Sequence, residues 1–223
     1  MPCREQDKPS DHRWTMTTTM RIECARDTGR DLTAVHGLIG EASSWLRTKN
    51  TAQWAAPWPN KIKRDKRIRD DLRAGRTWIV WDEEIPVATL TTTDKYNADV
   101  WAKSKCDLSE PAVYAHRLVI ARSHAGRRLG AEMIDWAGLR GSVEYGAKYI
   151  RIDVWTDNAE LHEYYKRTGF VPCGFCPDSS YPSGALFAKQ VTDIREGAIP
   201  LVSGPSAEFD LRPAACYDLV PLS

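Results

Sequence analysis

The stretch H-R-L-V-I-A-R-S-H-A-G-R-R-L-G-A, residues 116 to 131, joins an apolar strand, a short loop with Gly126 and the start of a helix with Gly130 in its first turn. Backbone amides from about Ala125 to Ala131 precede the first helical hydrogen bonds, so they point outward from the strand end. Such a turn cradles an anionic phosphate, and the helix dipole together with Arg127 or Arg128 adds positive potential. Gly126 permits a backbone shape and an approach that a side chain blocks. Two other phosphate-binding patterns are absent: G-x-x-x-x-G-K-[ST], and G-x-G-x-x-G opening a strand–helix–strand unit. Alone, a strand–glycine–helix turn is equally a packing device.

A second segment narrows the reading. Residues 152 to 170 run I-D-V-W-T-D-N-A-E-L-H-E-Y-Y-K-R-T-G-F, a strand followed by Asn158, a helix with Tyr165, and Gly169-Phe170. Over about residues 20 to 191 the chain resembles the GNAT superfamily of acyl-CoA-dependent N-acyltransferases. In that family a loop of pattern [QR]-x-x-G-x-[GA] holds the pyrophosphate of coenzyme A, and a later strand and helix read N-x-x-[AL]-x-x-x-Y-x-x-x-G-F. The first pattern aligns with Ala125 to Gly130, with Ala125 in the Gln/Arg slot, Arg128 in a glycine slot and Gly130 in the last. The second fits at Asn158, Leu161, Tyr165, Gly169 and Phe170.

The resemblance implies direct attack of a neutral amine on the thioester of acetyl-CoA, with no metal. It implies that Leu118, Val119 and Ile120 of the strand hold the cofactor. The loop and helix start add His124, Ala125, Gly126, Arg127, Arg128, Leu129, Gly130 and Ala131, and Asn158 and Tyr165 complete the set. A backbone N–H near Val119 or Ile120 would stabilise the oxyanion, a preorganised interaction worth about 3–4 kcal/mol. Tyr165 is the implied general acid for the thiolate, since an unperturbed phenol ionises near ~10. A core aromatic beside Tyr164 is the plain alternative. His116 occupies the strand position where the family often carries a glutamate, and it can accept an ammonium proton directly or through water. A satisfied core histidine is the other reading, and Asp153 is the second candidate base. Asn158 either contacts the pantetheine arm or caps its helix. His124 and His162 read as surface or cofactor-adjacent groups, and Glu83 and Glu84 as solvated.

These groups need elements to hold them. Met20 to Ala25 alternates as an opening strand. Asp31 reads as the N-cap of a helix to about Lys49, and a Trp- and Pro-rich loop follows. Lys61 to Ala74 reads as an amphipathic helix with Ile62, Ile68 and Leu72 as its apolar stripe, interleaved with Asp65, Asp70 and Asp71. Gly75 ends it. Thr77 to Trp81 and Pro86 to Thr92 form a hairpin, Val113 to Ile120 a further strand, and Arg127 to Tyr145 a helix closed by Gly146. Tyr149 to Trp155 is a strand, a helix capped by Asp157 or Asn158 runs to Arg167, and Phe170–Cys173 and Ala185–Lys189 are short strands. The order β-α-α-β-β-β-α-β-α-β-β implies an α/β (α+β) fold. Its sheet is mixed and mostly antiparallel, with helices on both faces.

At 223 residues and about 150 residues per domain, one domain with extensions is expected. These are a leader over 1–19, a GNAT domain over 20–191 and a C-terminal extension over 192–223, where Phe209, Leu211 and Tyr217 could dock. Lys plus Arg is 31 against 30 for Asp plus Glu, a balance that disfavours coating of nucleic acid or an anionic membrane. The basic run from Lys61 to Arg69 lacks base-stacking aromatics. No apolar run is long enough to span a bilayer and no signal segment is visible, so a cytoplasmic protein is expected. The six cysteines read as free thiols. Of the tryptophans, Trp45, Trp54, Trp58 and Trp81 fall where this fold flanks an acceptor cleft, or else in the core. The expected function is acetylation of a primary amine, most readily of a small molecule. A protein or peptide acetyltransferase and a non-catalytic acyl-CoA-binding module are the alternatives, the latter favoured by Ala125 and Arg128. Acetyl-CoA and an amine are the expected partners, with a homodimer possible in this fold.

Overall fold

The computed structural model describes residues 20–49, 51–176, 178 and 180–194, and the backbone of 202–203. The elements are β1 (Met20–Cys24), α1 (Gly29–Arg47), α2 (Lys61–Arg73), β2 (Thr77–Asp82), β3 (Ile85–Thr93), α3 (Ala98–Trp101), β4 (Ala112–Ile120), α4 (Leu129–Tyr145), β5 (Tyr149–Val154), α5 (Ala159–Arg167), β6 (Val171–Phe175), β7 (Ala185–Gln190) and β8 (Val202–Ser203). They form one sheet in the order β6-β7-β5-β4-β3-β2-β1-β8. All neighbours are antiparallel except β4–β5 and β1–β8. The mixed, mostly antiparallel sheet is the expected one. The single-turn α3 and the two-residue β8 are additions.

The burial pattern explains the layering. Consecutive side chains of a strand point to opposite faces, so a strand covered on one side alternates between buried and exposed. Trp78 to Trp81 and Val87 to Leu90 are instead buried without a break, which requires cover on both faces. Helices supply it: α1 contacts β2, β3 and β4, and α4 contacts β3, β4 and β5. The α4 approach is close, because a Cβ at Gly141 would stand 2.7 Å from Val113.

Several boundaries move for local reasons. Asp31 is not the N-cap of α1. Thr28 is, accepting the Asp31 amide at 3.3 Å, while the Asp31 carboxylate turns back to accept from the Arg26 amide at 2.8 Å. That reciprocal pair satisfies two donors at the helix start. In α2, Ile68 and Leu72 are buried as the stripe predicts, but Ile62 in the first turn is 82% exposed. The charges of α2 interlock, with Arg64 on Asp65 and Lys66 on Asp70.

The expectation of free thiols fails at one pair. Cys106 and Cys173 form a disulfide across a sequence separation of 67 residues. Lys105 donates its amide to the Cys173 carbonyl oxygen at 2.7 Å, so the segment after α3 lies along β6. No spacing rule predicts a pair made by strand order. Cys3 and Cys216 lie outside the described residues, as do the expected leader and the tail positions Phe209, Leu211 and Tyr217. Among the described residues no helix is long and apolar enough to cross a membrane.

The register of β4 prepares the site. Thr91 pairs with His116 and Thr89 with Val119, so one residue of β3 faces two of β4. Arg117 takes up this bulge at φ 49°, a left-handed conformation that costs an ordinary side chain about 1–2 kcal/mol. On the other edge, β4 pairs with β5 from Ala112–Tyr149 to Ala115–Ile152 and no further. The last five residues of β4 therefore diverge from β5.

Candidate active site

The divergence of β4 and β5 leaves a row of main-chain groups on β4 without a strand partner. Ala121 donates its amide to Val87 of β3 at 2.8 Å. Main-chain groups alternate in direction along a strand, so Val119 also faces β3, while Ile120 and Leu118 face the opened side. Of the two expected oxyanion donors, Ile120 is therefore the one directed there.

After β4 the chain makes a short turn over Arg122–His124 and reaches Gly126 at φ 79° and Arg128 at φ 65°. The amides of His124 and Ala125 are bonded within the turn, and the first helical bond of α4 runs from Glu132 to Arg128. Between them, the amides of Gly126 through Ala131 have no acceptor among the described residues. Gly126, Arg127 and Arg128 are exposed. Six open N–H groups at a 17-residue helix start, with two guanidinium groups beside them, suit a diphosphate. Arg128 in the glycine slot adopts the left-handed backbone that glycine would take freely. It caps α4 with no side-chain hydrogen bond, and its side chain is exposed. Among the described residues there is no cluster able to hold a metal ion.

His124 departs from the surface half of its expectation. It is 8% exposed, with Nε2 at 3.2 Å from Asp82 Oδ2 and Nδ1 at 2.9 Å from Ser123 Oγ. It ties the loop to β2 instead of lying at the surface. Asn158 caps α5, its Oδ1 accepting from the Leu161 amide at 2.9 Å while its Nδ2 donates to Gln53 Oε1 at 2.7 Å. Of its two expected roles, capping is the one observed. Asp157 does not cap. His162 is partly buried against the Trp155 carbonyl oxygen at 2.9 Å, and Glu83 and Glu84 are exposed.

On the opened side lies a cleft of about 530 Å³, walled by α2, the residue 53–58 loop, β3, β4, β5, α5 and the residue 181–183 loop. His116, Asp153 and Tyr165 all line it. His116 and Asp153, weighed as alternative bases, are partners: His116 Nδ1 stands 3.2 Å from Asp153 Oδ1, and the Tyr181 hydroxyl donates to Asp153 Oδ2 at 2.6 Å. The Asp153 side chain is 7% exposed and that of His116 30%. An ionised carboxylate only accepts, so the pairing places the imidazole proton on Nδ1 and leaves a lone pair on Nε2. Burial and the adjacent Asp153 carboxylate push the Tyr181 phenol well above its usual value.

Tyr165 is a buried aromatic, as the plain alternative has it, and also lines the cleft. Its ring packs against Phe170 at 5.4 Å and Phe187 at 6.4 Å. Burial, with smaller contributions from Tyr164 and Asp153, pushes its phenol far above the ordinary range. The shift favours the protonated phenol, a hydrogen-bond donor, over proton transfer. Trp54 and Trp58 line the cleft as expected, whereas Trp81 is buried and Trp45 lies under the Arg122 guanidinium at 4.0 Å. Trp101 and Trp155 line it too.

The model of the acetyltransferase (GNAT) family matches residues 41–170, which hold both the open-amide loop and the α5 motif. The chain belongs to the acetyltransferase (GNAT) family. It is an acyltransferase, and its family uses acetyl-CoA as the acyl donor. It is 29% identical over 166 residues to an uncharacterized N-acetyltransferase, YesJ, of Bacillus subtilis (strain 168), covering 73% of this chain and 86% of that one. Among solved structures it resembles a GNAT acetyltransferase of Listeria monocytogenes 4b F2365, at 21% identity and TM-score 0.59, over 77% of this chain and 94% of that one. It also resembles the PaiA N-acetyltransferase of Thermoplasma acidophilum, solved in complex with coenzyme A. That match has 12% identity and TM-score 0.56, over 77% of this chain and 98% of that one. At these identities the structures attest the fold.

Sequence reasoning missed one side of this GNAT cleft. Tyr181 sits in a polar turn with no periodicity, and Arg67 and Asp71 lie on a helix whose charges read as a solvated face. Nothing in their spacing points to His116. Arg117, adjacent to His116, reaches Asp71 at 2.7 Å and Thr91 Oγ1 at 3.1 Å because the bulge turns it there.

Proposed function

We propose that the protein acetylates a primary amine of a small molecule by direct attack on acetyl-CoA, with His116 as general base. The observation that carries this reading is the Tyr181–Asp153–His116 chain, which opens at the same split in the sheet that leads to the unbonded amides of residues 126–131. Acetyl-CoA supplies the activated acyl group as a thioester. The amides of Gly126 to Ala131 hold its diphosphate, with Arg127 and Arg128 adding charge. Asp153 orients the imidazole and balances the charge it gains, and Nε2 takes the ammonium proton directly or through one water. The Leu118 and Ile120 amides on the open edge of β4 are the donors available for the oxyanion. Tyr165 donates a hydrogen bond to the leaving sulfur. We assign residues 20–191 to the catalytic domain and 192–223 to an extension, of which Val202–Ser203 runs parallel to Arg21–Ile22.

The small-molecule acceptor is supported by the roof of the cleft. Trp58 donates Nε1–H to the Ser180 carbonyl oxygen at 3.2 Å and meets the Tyr181 ring edge at 5.1 Å, so two loops clasp over the space a peptide would need to cross. The test is release of coenzyme A thiol from acetyl-CoA across a panel of amines, alongside calorimetry with acetyl-CoA. Turnover of small amines ahead of peptides supports the reading. Binding without turnover of any amine indicates a non-catalytic module, and no binding removes the cofactor assignment.

A further inference from the structure

The charges of the cleft are arranged for an acceptor that brings its own anion. An amine enters as an ammonium and would be met, in a simple amine site, by an open carboxylate. Here the lining carboxylates are Asp71 and Asp153, and both are engaged. Asp71 accepts from Arg76 at 2.6 Å and Arg117 at 2.7 Å, while Asp153 accepts from His116 and Tyr181. Against them stand five lining cations: Arg64, Arg67, Arg76, Lys95 and Arg117. Arg64 is bonded to Asp65, but Arg67 and Lys95 form no ion pair among the described residues.

Arg67 is also fixed in place. Its guanidinium lies over the Trp58 ring at 5.1 Å and donates to the Trp58 carbonyl oxygen. Trp58 in turn meets Tyr181, which holds Asp153 and through it His116. The guanidinium and the base thus belong to one wall, two aromatic rings apart. Burial first, and then repulsion from Arg117, lower the Arg67 pKa against a weaker attraction from Tyr181 and Asp71, and Asp71 is itself bonded to Arg117 and Arg76 and forms no ion pair with Arg67 among the described residues. A guanidinium held this way matches the geometry of a carboxylate or phosphate.

Building on the acetyl-transfer reading, we propose that Arg67 is an anion subsite and that the acceptor is an amine that also carries a carboxylate or phosphate. The aromatic wall of Trp54 and Trp58 accommodates an apolar portion between the two ends. Simple polyamines, which add cations to a cationic cleft, are poor acceptors.

The test compares matched acceptors on the full chain: phenylalanine, phenylalanine amide and phenylethylamine, with phosphoethanolamine against ethanolamine to separate carboxylate from phosphate. The anionic member of a pair is expected to be favoured about tenfold or more in kcat/KM, mainly through KM. In Arg67→Gln that ratio collapses toward one, and in Arg67→Lys it partly returns. A merely structural role of Arg67 would lower both members alike and leave the ratio intact, which overturns the subsite. So does a wild-type preference for the neutral member. If no acceptor turns over, calorimetry on the coenzyme A-loaded protein decides: anionic members binding no tighter than neutral ones overturns the proposal. Failure of acetyl-CoA itself to bind is a separate result, and it removes the acetyl-transfer reading instead.

Discussion

The two proposed binding regions, the turn after β4 and the cleft, are made of different material. On the proposed cofactor side, the turn from Ile120 to Ala131 offers main-chain amides, with exposed side chains such as Arg127 and Arg128 and the buried, loop-anchoring His124. On the proposed acceptor side, side chains from α1, α2, β3, β4, β5 and the loops around them supply the polar groups that line the cleft. A main-chain site depends on backbone shape and tolerates unusual residues. A side-chain site depends on identity and on elements far apart in sequence. The Arg128 substitution in a glycine slot illustrates the tolerance: the left-handed backbone is kept and the six amides remain open.

Substitutions sharpen this contrast. The largest effect is expected on the acceptor side, where His116→Ala should lower kcat by about 100-fold or more with little change in acetyl-CoA affinity. Asp153→Asn should lower it less, since the base remains but loses its fixed tautomer. Steady-state thiol release together with acetyl-CoA calorimetry checks both, and a matching loss of acetyl-CoA binding would break the division between the sides.

On the cofactor side, Gly126→Val should act through conformation. At φ 79° a β-branched residue is strained by about 1–2 kcal/mol. If that strain reshapes the turn, acetyl-CoA binding weakens about tenfold, because 1.4 kcal/mol corresponds to a factor of ten. An unchanged KM for acetyl-CoA would mean that this backbone shape is not what holds the diphosphate.

The phenols of the acceptor side make stability sensitive to alkali. Tyr165 and Tyr181 have pKa values raised above the ordinary 10.0 by burial first. Their contribution is intact below that value. Above it the unfolded chain gives up protons that the folded chain retains, so stability falls as pH rises, by about 1.4 kcal/mol per pH unit for each phenol. Thermal unfolding followed from pH 9 to 11 should show the decline, and Tyr181→Phe should flatten it. The smallest effect is expected at Arg128→Gly, which relieves the left-handed strain and should raise stability by about 1 kcal/mol while weakening acetyl-CoA binding slightly. Denaturant unfolding reads the first change and calorimetry the second.

Much of this was open to reading from the chain because local rules govern it. Asn158 three residues before Leu161 caps α5 as its side-chain chemistry dictates. Gly126, and the helix that begins two residues after Arg127, mark the open amides. His116 and Asp153 were each recognisable as titratable groups on strands beside the motif. Their union was not, since residues 37 apart meet only where β4 and β5 begin to separate. The same holds for the Cys106–Cys173 bond, which follows from the placement of β6 beside the segment after α3.

By itself, then, the sequence determined the strand–turn–helix that presents unbonded amides, the order of elements around it and the family to which the chain belongs. Each of these rests on interactions spanning a few residues, so spacing alone expresses them. Tertiary structure decided that His116 and Asp153 pair, which cations of α2 face the cleft and which tryptophans wall it. Those are contacts between side chains carried by separate elements, and only the register of the sheet and the bulge at Arg117 bring them within hydrogen-bonding distance.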